Sequence, residues 1–287
     1  LLLAVVLGAI WVQGLPFMLV LAAFAGLGAH EIYTIARRAG YQPWYPAGIA
    51  LSLLFALRGY LGGKDIFSGI VYTGPGTGVE ITVLSMVLFL ALTRQGLSWA
   101  RGTLSSGAGP STLNSSAPKG WADIGITLGG AVYTGGLLGY APFLLAIPES
   151  SERGPGIFWV MFVILGTAAC DTGAYLVGRR FGRRKLIPHI SPGKTWEGLI
   201  GGVLGGIVAG IVLSGLLHLS IPTAVLLGLI VFAAAVSGDL CESMLKRAAG
   251  VKNSGTLIPG HGGVLDRLDS ILFVMIAVYW FARVIVS

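Results

Sequence analysis

Apolar residues fall along this chain in long blocks, interrupted by short polar stretches. Nine blocks stand out, at 1–13, 15–37, 44–61, 78–96, 121–147, 157–180, 196–218, 222–248 and 264–286. A helix needs roughly 20 apolar residues to cross a hydrocarbon core of about 30 Å, and segments of that order recur along the whole length. The pattern predicts an all-α, polytopic integral membrane protein with about nine transmembrane helices. Only Gln13, Gly14 and Pro16 separate the first two blocks, which is compatible with one broken helix. The stretch RGTLSSGAGPSTLNSSAPKG, at 101–120, has no apolar period and reads as a flexible Ser/Gly/Pro linker. It divides N-terminal helices and a loop, 1–120, from a C-terminal region, 121–287, in which the chemistry gathers.

Composition sharpens this picture. Charged residues make up 11% of the 287 positions, against about 25% in a soluble domain. Glycine occupies 45 positions, more than twice the usual ~7%. Small residues let helices approach closely in lipid, and GGVLGGIVAG carries such pairs at Gly201 and Gly205, Gly202 and Gly206, and Gly206 and Gly210. Cys170 and Cys241 both fall in apolar blocks, which predicts inert buried thiols and no structural disulfide.

The basic residues set an orientation. With the first residue inside, fifteen of the 19 Lys and Arg residues fall on inner loops and span ends, and only Arg58, Lys64, Arg153 and Arg283 lie outside. The positive-inside rule then places the N-terminus in and the C-terminus out. The same rule accounts for the net charge of +7. Basic residues scattered over membrane loops, without aromatic platforms, speak against nucleic acid as a partner and for anionic membrane lipids.

Half of the twelve acidic residues lie in the last blocks: Asp171, Glu197, Asp239, Glu242, Asp266 and Asp269. In this topology all six sit in, or at the edge of, the cytosolic half of a span. A carboxylate within a membrane costs roughly 2.5–3.5 kcal/mol or more and marks a polar, functional cavity. Asp266 and Asp269, three residues apart at the start of the last block, share one helix face. Such a pair invites a hard divalent cation, and oxygen-only ligands favour Mg²⁺, as one or two ions. Asp239 can supply a third carboxylate. Around these acids stand Lys194 with Thr195 in SPGKTWEG, and Lys246, Arg247 and Lys252 in SMLKRAAGVK. Carboxylates holding a cation beside Lys and Arg suit the binding and transfer of phosphates. In PGHGG, Pro259, Gly260, Gly262 and Gly263 form a turn around His261, which can donate to a phosphate, shuttle a proton or pin the loop. The turn's amides, leading into a helix N-terminus, suit an anion.

At these residues the chain resembles the phosphatidate cytidylyltransferases, or CDP-diacylglycerol synthases. Their signature is matched at Ser243, Leu245, Lys246, Arg247, Lys252, Gly255, Pro259, His261, Gly262, Gly263, Asp266, Arg267 and Asp269, and a second stretch at Asp171, Gly173, Ser191, Pro192, Lys194, Thr195, Glu197 and Gly198. The likeness covers residues 121–287 well, while the first 120 match only as hydrophobic spans. It implies the Mg²⁺-dependent reaction of CTP with phosphatidate to give CDP-diacylglycerol and pyrophosphate, in phospholipid biosynthesis at a bacterial-type inner membrane. The active site would face the cytosol. A homodimer is compatible with it. Asp239, Asp266 and Asp269 would hold metal, with Lys246, Arg247, Lys252 and His261 also catalytic. Asp171, Ser191, Lys194, Thr195, Glu197, Gly262, Gly263 and Arg267 would bind the nucleotide. The family carries Asp where this chain has Asn253, which predicts reduced activity. Two other classes share some features: a CTP-dependent lipid enzyme with an ether-lipid or polyprenol acceptor, and a cation-coupled transporter with buried acids.

Overall fold

The apolar blocks that fall among the described residues become helices. A computed structural model describes residues 2–12, 14–61, 119–147, 155–251, 254–255 and 262–284. The block predicted at 78–96 lies outside the described residues, as does the linker up to residue 118. Helices α1 (Leu2–Val12) and α2 (Gly14–Arg38) are separate elements, and Gly14 adopts φ +55°, a conformation that ordinary residues avoid. Next come α3 (Tyr45–Leu61) and α4 (Lys119–Ala131), followed by a π-helical turn at Val132–Gly136 and the short α5 (Ala141–Leu145). Helix α6 (Gly156–Phe181) leads into a two-stranded antiparallel hairpin, β1 (Lys185–Ile187) and β2 (Ser191–Thr195). The chain continues as α7 (Trp196–Leu213), α8 (Ile221–Ala248) and α9 (Leu265–Val284).

Among the described residues, five helical runs are long and apolar enough to cross a membrane: α2, 122–145, α6, α7 and α8. Helix α9 has the length, but every 18-residue stretch of it carries at least three of Asp266, Arg267, Asp269 and Arg283. The fold is that of an all-α membrane protein, with the small hairpin as the one β-sheet among the described residues.

The predicted span at 121–147 is broken, for a steric reason. A Cβ at Gly135 would collide with the Ser52 carbonyl oxygen, and one at Gly139 with that of Phe55. Close approach to α3 therefore occupies one face, and the helix bulges into π geometry where it passes. Thr134 adds to the bend by donating to the Gly130 carbonyl at 2.8 Å. Pro142 then stands in the first turn of α5, where its missing N–H is tolerated.

The chain forms two compact units, one of residues 1–139 and 241–267, the other of 140–240 and 268–287. In the first, Tyr33 of α2 is fully buried, with Gly48 and Gly130 against its ring and its hydroxyl donating to the Thr127 carbonyl at 2.7 Å. In the second, α6, α7 and α8 meet backbone to backbone. Gly201 and Gly205 face α6 at Gly173 and Ala169, while Gly206 and Gly210 face α8 at Gly228 and Ala224. Each of these glycines would drive a Cβ into a carbonyl oxygen of its neighbour. The small-residue pairs read from the sequence thus divide into two contact faces of α7. Both cysteines are buried and neither forms a disulfide.

Gly228→Ala should lower stability by about 1–3 kcal/mol, the usual cost of overpacking. Gly125→Ala, where a Cβ meets nothing within 4 Å, should be nearly neutral. Thermal unfolding of the two variants in one detergent checks the contrast.

Candidate functional site

In the second unit, a cavity of about 390 Å³ opens where α6, α7, α8 and the hairpin meet. Small residues make the room: Ala174, Gly178, Gly193, Gly198 and Ala235 all line it. The charged lining comes from Asp171 and Arg179 of α6, Lys194 of β2 and Asp239 of α8. Lys194 Nζ lies 2.7 Å from Asp239 Oδ2, and both side chains are partly exposed to the cavity. Arg179 also takes the Tyr175 hydroxyl as an acceptor at 3.2 Å.

The hairpin that carries Lys194 is strapped to α7. Thr195, buried, caps the helix by accepting from the Gly198 amide at 3.1 Å. The Glu197 carboxylate accepts from the amides of Arg183 and Arg184 at 3.1 and 3.2 Å, and Trp196 donates back to the Arg184 carbonyl at 3.0 Å. Glu197 therefore holds the turn after α6, and its side chain reaches backbone on the far side of the hairpin. Ser191 pairs with Ile187 at the start of β2.

In the same unit, the absent Cβ of Gly238 lets α8 approach the backbone of Asp269 on α9. Asp239 is thus next in sequence to a close backbone contact between α8 and α9. The Asp269 carboxylate accepts from the Ser270 amide at 2.7 Å. Asp171 and Asp239 lining one cavity give an oxygen-only donor set beside a lysine. That chemistry fits Mg²⁺, which binds through one or two carboxylates and completes its shell with phosphate oxygens and water. Among the described residues of either unit, no three His, Cys, Asp or Glu side chains gather into a group that could hold a metal by themselves.

The first unit holds the other half of the predicted residues. Lys246 Nζ lies 2.5 Å from Glu242 Oε2 and 2.6 Å from Asp266 Oδ1. Asp266 also accepts from the amides of Gly263 at 2.8 Å and Ser254 at 3.1 Å. Gly262 is needed there for two reasons: its φ is +85°, and a Cβ would lie 2.6 Å from Asp266 Oδ2. Arg247 donates to the Val251 carbonyl at 3.4 Å, and Arg267 is exposed on the first turn of α9. Lys252, Asn253 and His261 lie outside the described residues.

Sequence reasoning did not single out Glu31 of α2, which is 1% exposed and accepts from the Ser254 hydroxyl and from the amides of Val264 and Leu265, each at 2.8 Å. With Gly263 donating to Asp266, the amides at the N-terminus of α9 receive anions supplied by the protein itself. Glu31 is separated from its partners by more than 220 residues and lies in a stretch with no motif around it. Its one signal was a lone acid inside an apolar block. Arg179 and Tyr175, which also line the cavity, match no motif position that sequence reasoning singled out.

The chain belongs to the cytidylyltransferase family, whose model matches residues 1–285. It is 47% identical over 125 residues to a phosphatidate cytidylyltransferase of Haemophilus influenzae, covering 40% of this chain and 42% of that protein. It is 34% identical over 290 residues to the chloroplastic phosphatidate cytidylyltransferase 4 of Arabidopsis thaliana, covering 97% and 69%. A third relative, the uncharacterised Escherichia coli protein YnbB, is 42% identical over 147 residues, covering 51% and 49%. The chain spans about half the length of the bacterial relatives it matches.

Lys246→Met removes the ammonium held between Glu242 and Asp266, so it should cost about 3–5 kcal/mol, as when a buried pair is broken from one side. Adding Glu242→Gln should recover a large part of that loss. Chemical unfolding of the single and double variants measures the coupling.

Proposed function

We propose that the chain is a CTP:phosphatidate cytidylyltransferase. The observation that carries this reading is the cavity lined by Asp171, Arg179, Lys194 and Asp239 in a member of the cytidylyltransferase family. Two relatives are named phosphatidate cytidylyltransferase. A phosphate oxygen of phosphatidate attacks the α-phosphorus of CTP. The bond to the β-phosphate oxygen breaks, and pyrophosphate leaves with the electron pair. The nucleophile is already an anion, so no strong general base is needed, and rate comes from positioning and charge neutralisation.

Within this proposal Lys194 and Arg179 hold phosphate oxygens at the cavity, and the Lys194–Asp239 pair keeps both groups aimed into it. Glu197 and Thr195 act through the hairpin by fixing where Lys194 stands. Asp239 and Asp171, with Asp269 on the neighbouring helix, would hold Mg²⁺. Bound there, Mg²⁺ would offset the charge of the triphosphate and of departing pyrophosphate. Asp266, which the family resemblance also places among the metal ligands, is held by Lys246 and by the amides of Gly263 and Ser254. The family resemblance assigns Ser191, Gly262, Gly263 and Arg267 to nucleotide binding, and Arg247, Lys252 and His261 to catalysis.

The finer topology is part of the same proposal: nine spans, N-terminus in, C-terminus out, a catalytic region from residue 121 onward and a site facing the cytosol at a bacterial-type inner membrane. The fifteen-to-four division of basic residues supports it.

Purified protein supplied with labelled CTP, phosphatidate and Mg²⁺ should form labelled CDP-diacylglycerol and release pyrophosphate. Asp239→Ala should lower turnover by at least about a hundredfold while still extracting as folded protein. Conversion that is unaffected by omitting phosphatidate, or by Asp239→Ala, would reject the assignment.

Asn253 replaces the acid of the family pattern and keeps an oxygen without the charge. A charge-assisted bond there is worth about 1.5–3 kcal/mol, so Asn253→Asp should raise the rate by about ten- to a hundredfold at saturating Mg²⁺. A side-by-side rate measurement with CTP and Mg²⁺ varied checks it.

A further inference from the structure

Glu31 uses both carboxylate oxygens as acceptors. Oε2 receives the Ser254 hydroxyl and the Leu265 amide, and Oε1 receives the Val264 amide. Ser254 and Leu265 are eleven positions apart, so a single side chain from α2 ties together two segments of the signature stretch. The surrounding glycines make room for it. A Cβ at Gly255 would lie 2.7 Å from Oε1, and one at Gly263 would collide with Oε2 and with the Ser254 hydroxyl.

The same backbone serves a second carboxylate. Ser254 gives its hydroxyl to Glu31 and its amide to Asp266, and the Gly263 amide, next to Val264, also goes to Asp266. Asp266 in turn holds Lys246. Among the described residues, Glu31 accepts from three donors, and two of them belong to the start of a helix, where the backbone dipole favours negative charge. An ordinary Ser, Thr or Asn cap would end the helix without placing a carboxylate nine-tenths buried. A distant acid recruited instead lets one side chain set the two segments that Asp266 depends on.

We propose that Glu31 is a positioning residue for cytidylyl transfer: as a carboxylate, it clamps Ser254 to the first amides of α9 and so holds Asp266 and Lys246 in one geometry. This rests on the function proposed above.

The test is Glu31→Gln, which keeps the shape but turns an amide NH₂ toward donors. Two readouts are taken on detergent-purified protein. Hydrogen exchange at amides 262–266 should quicken by about tenfold or more while α6 and α7 keep their protection. Per folded molecule, kcat should fall about ten- to a hundredfold, with KM for CTP moving less than about threefold. Unchanged protection at 262–266 overturns the clamp. Protection lost with wild-type kcat in the folded fraction overturns the positioning role and leaves a structural tie. Should Glu31→Gln fail to fold, Ser254→Ala removes one of the three donors, and quickened exchange with about a threefold lower kcat is expected; no change in either overturns the proposal. Wild-type protein that exchanges as expected but never converts CTP would count against the proposed function, while the exchange comparison would still decide the clamp.

Discussion

Helices in lipid gain little by hiding apolar side chains from one another, because the surrounding chains are equally apolar, and their association rests on close packing. In the unit formed by α6, α7 and α8 that constraint is met by glycines placed against carbonyl oxygens: Gly201 and Gly205 on one face of α7, Gly206 and Gly210 on the other. The placement of the candidate site residues follows from it. Asp171 is two positions from Gly173, and Asp239 is next to Gly238, so each carboxylate is carried by a backbone that a close contact has already placed. Other small residues, Ala174, Gly178, Gly193, Gly198 and Ala235, leave the cavity that Asp171, Lys194 and Asp239 line where the helices meet the hairpin. Bulkier residues at Gly178 or Gly198 would fill it, since a Cβ at either lies close to the Thr195 hydroxyl.

Carboxylates do a second job in this protein. Backbone amides that leave helical geometry need acceptors, and three loops find them in acids of neighbouring elements. Glu197 receives the turn at Arg183 and Arg184, Asp266 receives Ser254 and Gly263, and Glu31 receives Val264 and Leu265. Several acids that look from the sequence like metal or phosphate ligands are thus engaged with the protein's own donors. The Lys246 ammonium between Glu242 and Asp266 belongs to the same economy of charge: a cation buried with two anions, all three held by geometry that any single removal would disturb.

Block length was enough to locate the helices, because an apolar run that must cross lipid has little alternative to helix. The predicted 157–180, 196–218 and 222–248 correspond to α6, α7 and α8 within a few residues, except that α7 ends at Leu213. The signature stretch was equally legible, because spacing between Lys246, Gly262, Gly263, Asp266 and Asp269 is a property of the chain itself. The break after Ala131 was not. Gly135 and Gly139 look like any other glycines until α3 is seen against them.

What the sequence by itself determined is local: which stretches are apolar enough for helix, which small residues permit close approach, and which charged types stand at fixed intervals. Tertiary structure alone decided how those charges are shared. Nothing in the order of residues says that Lys194 pairs with Asp239, 45 positions on, or that Glu31 reaches Leu265, because hydrogen bonds and ion pairs depend on separation in space at the scale of 3 Å. Periodicity carries information only over a few turns. The partner of a buried carboxylate is chosen by whichever helices the glycines allow to meet.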